Sequence, residues 1–173
     1  MTSPRARPDA GPTVTVVDLR CQAPDGVLAV GSDQLRLTWR VSPALPGLEQ
    51  LAYEIEASTG SGFEPVLAST GVVDGADQVA VPAPGPSLQS REVRFFRVRI
   101  LTANGWTAWS PVLRVEAGLL DASDWVALAV TLPDDPGAER QSPAPILRRE
   151  FELQDEVVKA RLYVTSLGVH PSP

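Results

Sequence analysis

The sequence holds one cysteine, Cys21, one lysine, Lys159, and one histidine, His170. A single thiol excludes an intrachain disulfide, so packing alone must hold the fold, and a reducing compartment is allowed. One histidine leaves one candidate base for Ser-His-Asp or histidine-based metal chemistry. His170 stands three residues from the end of the sequence, without the rigid shell that a catalytic base needs. Cys21 has no His or Cys neighbour at ligand spacing, so zinc is unsupported. A phosphate-binding glycine loop is also missing. Long apolar runs are missing too: Trp125 to Val130, the longest, is far too short to cross a bilayer. The first twelve residues lack the apolar stretch of a signal peptide. Together these absences predict a cytoplasmic protein with no membrane partner. Positive charge is scarce, at 15 Lys and Arg against 21 Asp and Glu, a net charge of −6. Phosphate binding needs a basic face, so nucleic acid is not the expected partner.

Aromatic residues make up only 6% of the chain, yet four of them are Trp. Such residues are expected in the core or in a motif. The 43% hydrophobic and 21% charged content is that of a globular protein. With 13 glycines and 17 prolines, turns should be many and long helices few. A length of 173 residues allows one domain plus part of another.

Alternation with period two dominates up to residue 117. Strands are expected at Thr13–Leu19, Gln34–Val41, Leu51–Ser58, Phe63–Leu67, Gln78–Val81, Arg91–Leu101 and Val112–Ala117. In the second, Leu35, Leu37, Trp39 and Val41 share the buried face, opposite Arg36, Thr38 and Arg40. In the third, Leu51, Tyr53, Ile55 and Ala57 point inward, with Glu54 and Glu56 outward. In the long sixth strand, Phe96, Val98 and Ile100 point inward, with Arg97 and Arg99 outward. About seven strands separated by turns make an all-β sandwich of the fibronectin-III or immunoglobulin kind. Trp39 against Tyr53 is then its expected core pair.

Four segments follow: a disordered N-terminus over 1–12, the sandwich over 13–117, a linker and loop over 118–145, and the start of a second β-sandwich over 146–173. In the linker, Asp121 and Ser123 read as turn or capping residues, and Trp125 as a contact where the domains meet. Strands are expected at Leu147–Leu153 and Val157–Thr165. Two or three strands cannot enclose a core, so this jelly-roll-like second domain is expected to be incomplete. Glu150 with Glu152 and Asp134 with Asp135 are adjacent carboxylates. One pair falls on a solvent face and the other in a loop, and neither offers the enclosed cleft that glycoside hydrolysis requires.

One motif stands out. Asn104 and Gly105 set a tight turn, followed by Trp106, Thr107, Ala108, Trp109, Ser110 and Pro111. Two indoles three residues apart share one side if the backbone is polyproline-like. Arg97 and Arg99, two apart on the preceding strand, can then insert between them. The stretch resembles the Trp-Ser-x-Trp-Ser box of fibronectin-III domains in cytokine receptors, with Thr107 in place of the first Ser. An exposed aromatic platform for sugar rings is the functional alternative; guanidinium groups filling the gaps would leave it little free face.

The order of motifs carries a wider resemblance. Arg97 to Ile100, Trp106 to Ser110, Glu116 to Leu120, Asp124 with Trp125, Leu147 to Leu153 and Ala160 to Gly168, in this order, resemble the N-terminal region of bacterial α-L-rhamnosidases of glycoside hydrolase family 78. The resemblance runs from about residue 13 to 169. It implies a fibronectin-like domain leading into a β-sandwich domain that can bind rhamnose, then a catalytic (α/α)6 barrel and a C-terminal β domain. The parent enzyme would remove terminal α-L-rhamnosyl groups with inversion. After Leu167 and Gly168 the family continues with further strands, whereas this sequence reads Val169 to Pro173 and ends, before any barrel. No catalytic or sugar-site residue can therefore be carried over. The expectation is a non-catalytic accessory region with no catalytic, metal or cofactor-binding residue and no cofactor. Its expected partner is the remainder of a rhamnosidase polypeptide or another β domain. A stand-alone protein- or carbohydrate-binding module is the alternative.

Overall fold

A computed structural model describes residues 13–21, 30–31, 34–43, 46–130, 148–152, 156–158 and 160–164. The chain divides into two units, Met1–Asp124 and Trp125–Pro173.

Among its described residues the first unit is built from strands β1 (Thr15–Cys21), β2 (Arg36–Ser42), β3 (Ala52–Ser58), β4 (Ala68–Ser69), β5 (Val73–Asp74), β6 (Val81–Pro82), β7 (Val93–Thr102), β8 (Gly105–Trp106) and β9 (Leu113–Glu116). One sheet has the order β1-β2-β6. The other runs β4-β3-β7-β8, with β5 also on β3 and β9 also on β7. All of these pairings are antiparallel. This is the expected two-sheet sandwich.

Alternation explains the core. Leu37 and Trp39 from β2, Tyr53, Ile55 and Ala57 from β3, and Phe96, Val98 and Ile100 from β7 are all buried in one cluster. Removing each large side chain from water stabilises the fold by about 1.5–3 kcal/mol. Trp39 and Tyr53 meet as expected, with ring centroids 5.4 Å apart and planes tilted by 59°. Burying Trp39 obliges its indole N–H to find an acceptor, and it donates to Gln50 Oε1 at 3.2 Å. Gln50, itself buried, then donates from Nε2 to the carbonyls of Gly75 and Asp77, both at 3.1 Å. One amide thus ties the core tryptophan to the loop after β5.

Several expectations are corrected. Leu51 was to face inward, but it precedes β3 and is 44% exposed, while Ala52 is buried. Phe63–Leu67 is not a strand. Phe63 has φ +58°, in the left-handed region, which breaks extended pairing. The turn is organised by Ser58, whose Oγ accepts from Gly60 N at 3.1 Å and donates to the Pro65 carbonyl at 3.0 Å. The short pairings of β4 and β5 come after that turn instead. The tight hairpin at Asn104 does form, but its two loop residues are Ala103 and Asn104, because Thr102 pairs with Gly105. Gly105, at φ +103°, takes a conformation that side chains disfavour.

Each sheet edge is short or distorted. β4, β5, β6 and β8 have two residues each, and Pro82 lies in β6. In β1 the register shifts between Val17 and Arg20, and Asp18 within the shift has φ +52°. Short strands, proline and bulges all discourage pairing with a foreign strand.

The chain leaves this sandwich through a fastened segment. Ala117 N donates to the Glu92 carbonyl at 2.8 Å and Gly118 N to the Val30 carbonyl at 2.8 Å. Ser90 Oγ accepts from Leu120 N at 2.7 Å and Asp121 N at 3.3 Å. Asp121 acts as the expected cap, its Oδ1 accepting from Ser123 N at 2.8 Å, ahead of a 3-10 turn at Ala122–Asp124. That contact holds the Asp121 carboxyl below its ordinary pKa.

In the second unit no described residue lies in a strand. This corrects the strands expected at Leu147–Leu153 and Val157–Thr165 as far as residues 148–152, 156–158 and 160–164 go. The amphipathic pattern is present in the sequence, but extended segments need partner strands to bond and cover them. Their apolar residues are bare: Phe151 is 75%, Val158 96% and Leu162 83% exposed. Trp125 is also exposed.

Candidate functional site: the aromatic and arginine ladder

The long strand β7 turns two arginines outward, and register places each beside a glutamate of β3. Glu54 faces Arg99 and Glu56 faces Arg97. Arg97 Nε donates to Glu56 Oε2 at 2.8 Å, and Arg99 donates to Glu54 Oε2 from Nε at 2.9 Å and Nη2 at 2.6 Å. Anchored so at its edge, each guanidinium keeps its two faces available for stacking.

The Trp106–Ser110 segment supplies the rings. Between β8 and β9 it leaves regular pairing, yet its hydroxyls keep β7 bonded. Thr107 N donates to the Ile100 carbonyl at 2.9 Å, while Thr107 Oγ1 accepts from Ile100 N at 3.2 Å. Ser110 repeats the pattern with Val98, at 2.8 Å to its carbonyl and 3.1 Å from its nitrogen. Thr107 therefore fills the role of the Ser it replaces, since that role needs only a β-hydroxyl.

With the backbone so held, Arg97 lies over Trp109 at 4.5 Å, and Arg99 over Trp109 at 4.6 Å and Trp106 at 4.9 Å. Arg99 thus inserts between the two indoles as expected, while Arg97 stacks on Trp109 alone of the two. Sequence reading missed its far end: Arg97 also covers Phe63 at 4.3 Å. The strained turn at Phe63 delivers a buried ring to the ladder. A glycine-flanked aromatic before a proline, Gly62, Phe63, Glu64, Pro65, is the signal that could have suggested a turn there. The sequence of stacked groups is Phe63, Arg97, Trp109, Arg99, Trp106. Each cation–π contact contributes about 0.5–2 kcal/mol.

Chemically this assembly is neutral and saturated. Both faces of Trp109 are covered, so it offers no platform for a sugar ring. Trp106, 38% exposed, ends the stack.

The other tempting residues do not converge. Glu150 and Glu152 are exposed, and Glu150 pairs with Arg148 on the surface. His170, Asp134 and Asp135 lie outside the described residues. Cys21 is half-buried on β1, and desolvation raises its thiol pKa above 9.0, which makes it a poor nucleophile. Among the described residues no three His, Cys, Asp or Glu side chains are grouped to hold a metal ion. No helix among them is long and apolar enough to cross a membrane.

Comparison with known proteins identifies the domain. The family model for the Rha78A-like, N-terminal immunoglobulin domain matches residues 16–121. The α-L-rhamnosidase of Streptomyces avermitilis is 31% identical over 157 residues, covering 78% of this chain and 15% of the enzyme. That of Alteromonas sp. strain LOR is 32% identical over 144 residues, covering 78% and 16%. The chain thus spans about one-seventh of the length of these relatives. Coverage of 78% is about 135 residues, more than residues 1–121 supply, so the similarity runs past the immunoglobulin-like domain. In three dimensions, the S. avermitilis α-L-rhamnosidase complexed with L-rhamnose superposes with a TM-score of 0.61 at 30% identity, over 66% of this chain and 12% of that one. The Aspergillus terreus α-L-rhamnosidase gives 0.57 at 31% identity, over 66% and 13%. Sandwich and similarity agree, and the chain belongs to the Rha78A-like N-terminal immunoglobulin domain family, the N-terminal region of α-L-rhamnosidases.

Proposed function

We propose that this chain serves as a rigid, non-catalytic accessory region of an α-L-rhamnosidase, holding in place the domains that carry the chemistry. The similarity that continues beyond residue 121 carries this reading, because a module used alone would have no reason to share sequence past its own boundary. The segments divide as 1–12 N-terminal extension, 13–117 sandwich, 118–145 linker and loop, and 146–173 the opening of the next β domain. The partner is the remainder of a rhamnosidase polypeptide, whose substrates would carry terminal α-L-rhamnosyl groups. This chain contributes no catalytic, metal or cofactor-binding residue. The working compartment is the cytoplasm, which the single Cys21 permits.

A chimera tests the proposal. The matching region of the S. avermitilis enzyme is replaced by this chain and compared with a simple deletion. The chimera is expected to keep aryl α-L-rhamnoside hydrolysis and thermal stability that the deletion loses, while the chain alone shows no turnover. Turnover by the isolated chain above a buffer control, or a chimera no better than the deletion, overturns it.

A second reading, a module that binds carbohydrate or protein by itself, is favoured by the exposed edge of Trp106. It predicts saturable glycan binding by the isolated chain that Trp106→Ala abolishes.

A further inference from the structure

A cleft of about 290 Å3 opens at the side of the sandwich, between the proline-rich turn after β6 and the first residues of β7. Its apolar walls include Leu35, Pro84 and Pro86, and Phe96 and Arg94 also line it. Among the described residues Arg94 is the only charged side chain lining the space, and it is 4% exposed. Buried guanidinium groups are rare unless their donors are engaged.

Three of its N–H groups are accounted for. Nε donates to Glu92 Oε1 at 2.9 Å, Nη2 also donates to Glu92 Oε1, and Nη1 donates to the Pro86 carbonyl. A guanidinium has five N–H bonds, so one hydrogen on each Nη has no protein acceptor among the described residues. Glu92 takes up the Nε side of the group, leaving the Nη end for another partner. Beside it the wall is Gly85, where an added Cβ would stand 3.6 Å from Nη1. The missing side chain keeps the approach clear.

We infer that this cleft is a binding site for a small carboxylic acid, its carboxylate received by the two open Nη–H groups of Arg94 and its carbon body lying against Leu35 and the proline rings. A planar pair of acceptor oxygens fits a guanidinium end better than a single or tetrahedral anion does. Glu92 fixes the fork and moderates its charge, so binding is weak and reversible. The volume corresponds to about ten water molecules at ~30 Å3 each, which suits an acid of a few carbons. The inference does not depend on the accessory role, since it concerns only side chains within the sandwich.

The test is a 1H–15N NMR titration of the full chain at constant ionic strength with sodium acetate, sodium cyclohexanecarboxylate and sodium sulfate. Saturable shifts are expected at Arg94 Nε–H and the Phe96 amide with both carboxylates. Cyclohexanecarboxylate should saturate at lower concentration, because its ring displaces water from apolar walls, and sulfate should not saturate. Arg94→Lys keeps the charge but loses the fork, and should weaken binding by about tenfold or more. Glu92→Gln removes the compensating charge and should tighten it. Should Arg94→Lys fail to fold, the Glu92→Gln comparison decides. Absence of saturation in the unaltered chain, sulfate reproducing the carboxylate shifts, or variants that leave affinity unchanged would each show that Arg94 is only a strut for the proline-rich turn.

Discussion

The Thr107 hydroxyl oxygen stands 3.2 Å from the backbone nitrogen of Ile100 and accepts its hydrogen, standing in for a strand that the box residues interrupt. Thr107→Ser keeps that oxygen and should leave stability within about 0.5 kcal/mol. Thr107→Val keeps the shape but strands a backbone donor, at about 1–3 kcal/mol. Urea denaturation of both variants checks the pair; a larger loss from Thr107→Ser than from Thr107→Val would show that the methyl group matters and the bond does not.

Core and surface tryptophans should separate cleanly. Trp39 is 2% exposed in the centre of the cluster, and Trp39→Ala should cost about 3–5 kcal/mol. Trp106→Ala removes one end of the ladder, one cation–π contact, and should cost about 0.5–2 kcal/mol. Chemical denaturation ranks them, and the reverse order would refute the assignment of core and surface.

Alkaline pH should weaken the sandwich in a defined window. Burial, then the charge of Asp77, raises the Tyr53 phenol above 10.0, and burial raises the Cys21 thiol above 9.0. Each group keeps its proton longer when folded than when unfolded. Their stabilising contribution is therefore whole below the unfolded pKa values and is lost as pH rises through the folded ones. The denaturation midpoint should begin to fall above about pH 9, and Tyr53→Phe should flatten the part of the fall beyond pH 10. A midpoint that is level to pH 11 contradicts the expectation. At pH 8, Cys21 should react with iodoacetamide more slowly in the folded chain than in urea.

The second unit predicts self-association. Val126 and Leu128 are both 88% exposed, and Val158 and Leu162 are barely covered. Exposed apolar chain with strand-like patterning seeks partners. The full chain should form oligomers on sizing chromatography, and a version ending at Asp124, with its blunted edges, should run as a monomer. A compact, protease-resistant monomer of the full chain would defeat this.

How legible was all this in the sequence? The long strands were clear because alternation is strong where one face is buried: β2, β3 and β7 lie within a few residues of their expected positions. The two-residue strands β4, β5, β6 and β8 carry too little pattern, and only the neighbourhood of β6 was anticipated. Arg97 and Arg99 betrayed the ladder by standing two apart opposite a Trp-x-x-Trp segment. Phe63 did not, because its contribution depends on a left-handed backbone that a Gly-Phe dipeptide does not announce. Gln50 was invisible for a similar reason, since its three partners are distant in sequence. The strands expected beyond residue 146 show the limit of pattern: amphipathic alternation states what a segment could do if something covered it, and pairing decides whether it does.

The ten residues of β7 serve both sides of one sheet. Phe96, Val98 and Ile100 fill the interior, while Arg97 and Arg99 hold the stacked rings outside. Side chains alternate with period two, so inserting or deleting one residue near Phe96 would exchange the two sets. Two guanidinium groups would enter the sandwich, and Phe96, Val98 and Ile100, now wholly buried, would meet water. The loops can lengthen through ordinary mutation, but this strand can change length only in steps of two, which makes it the ruler against which the rest of the domain is cut.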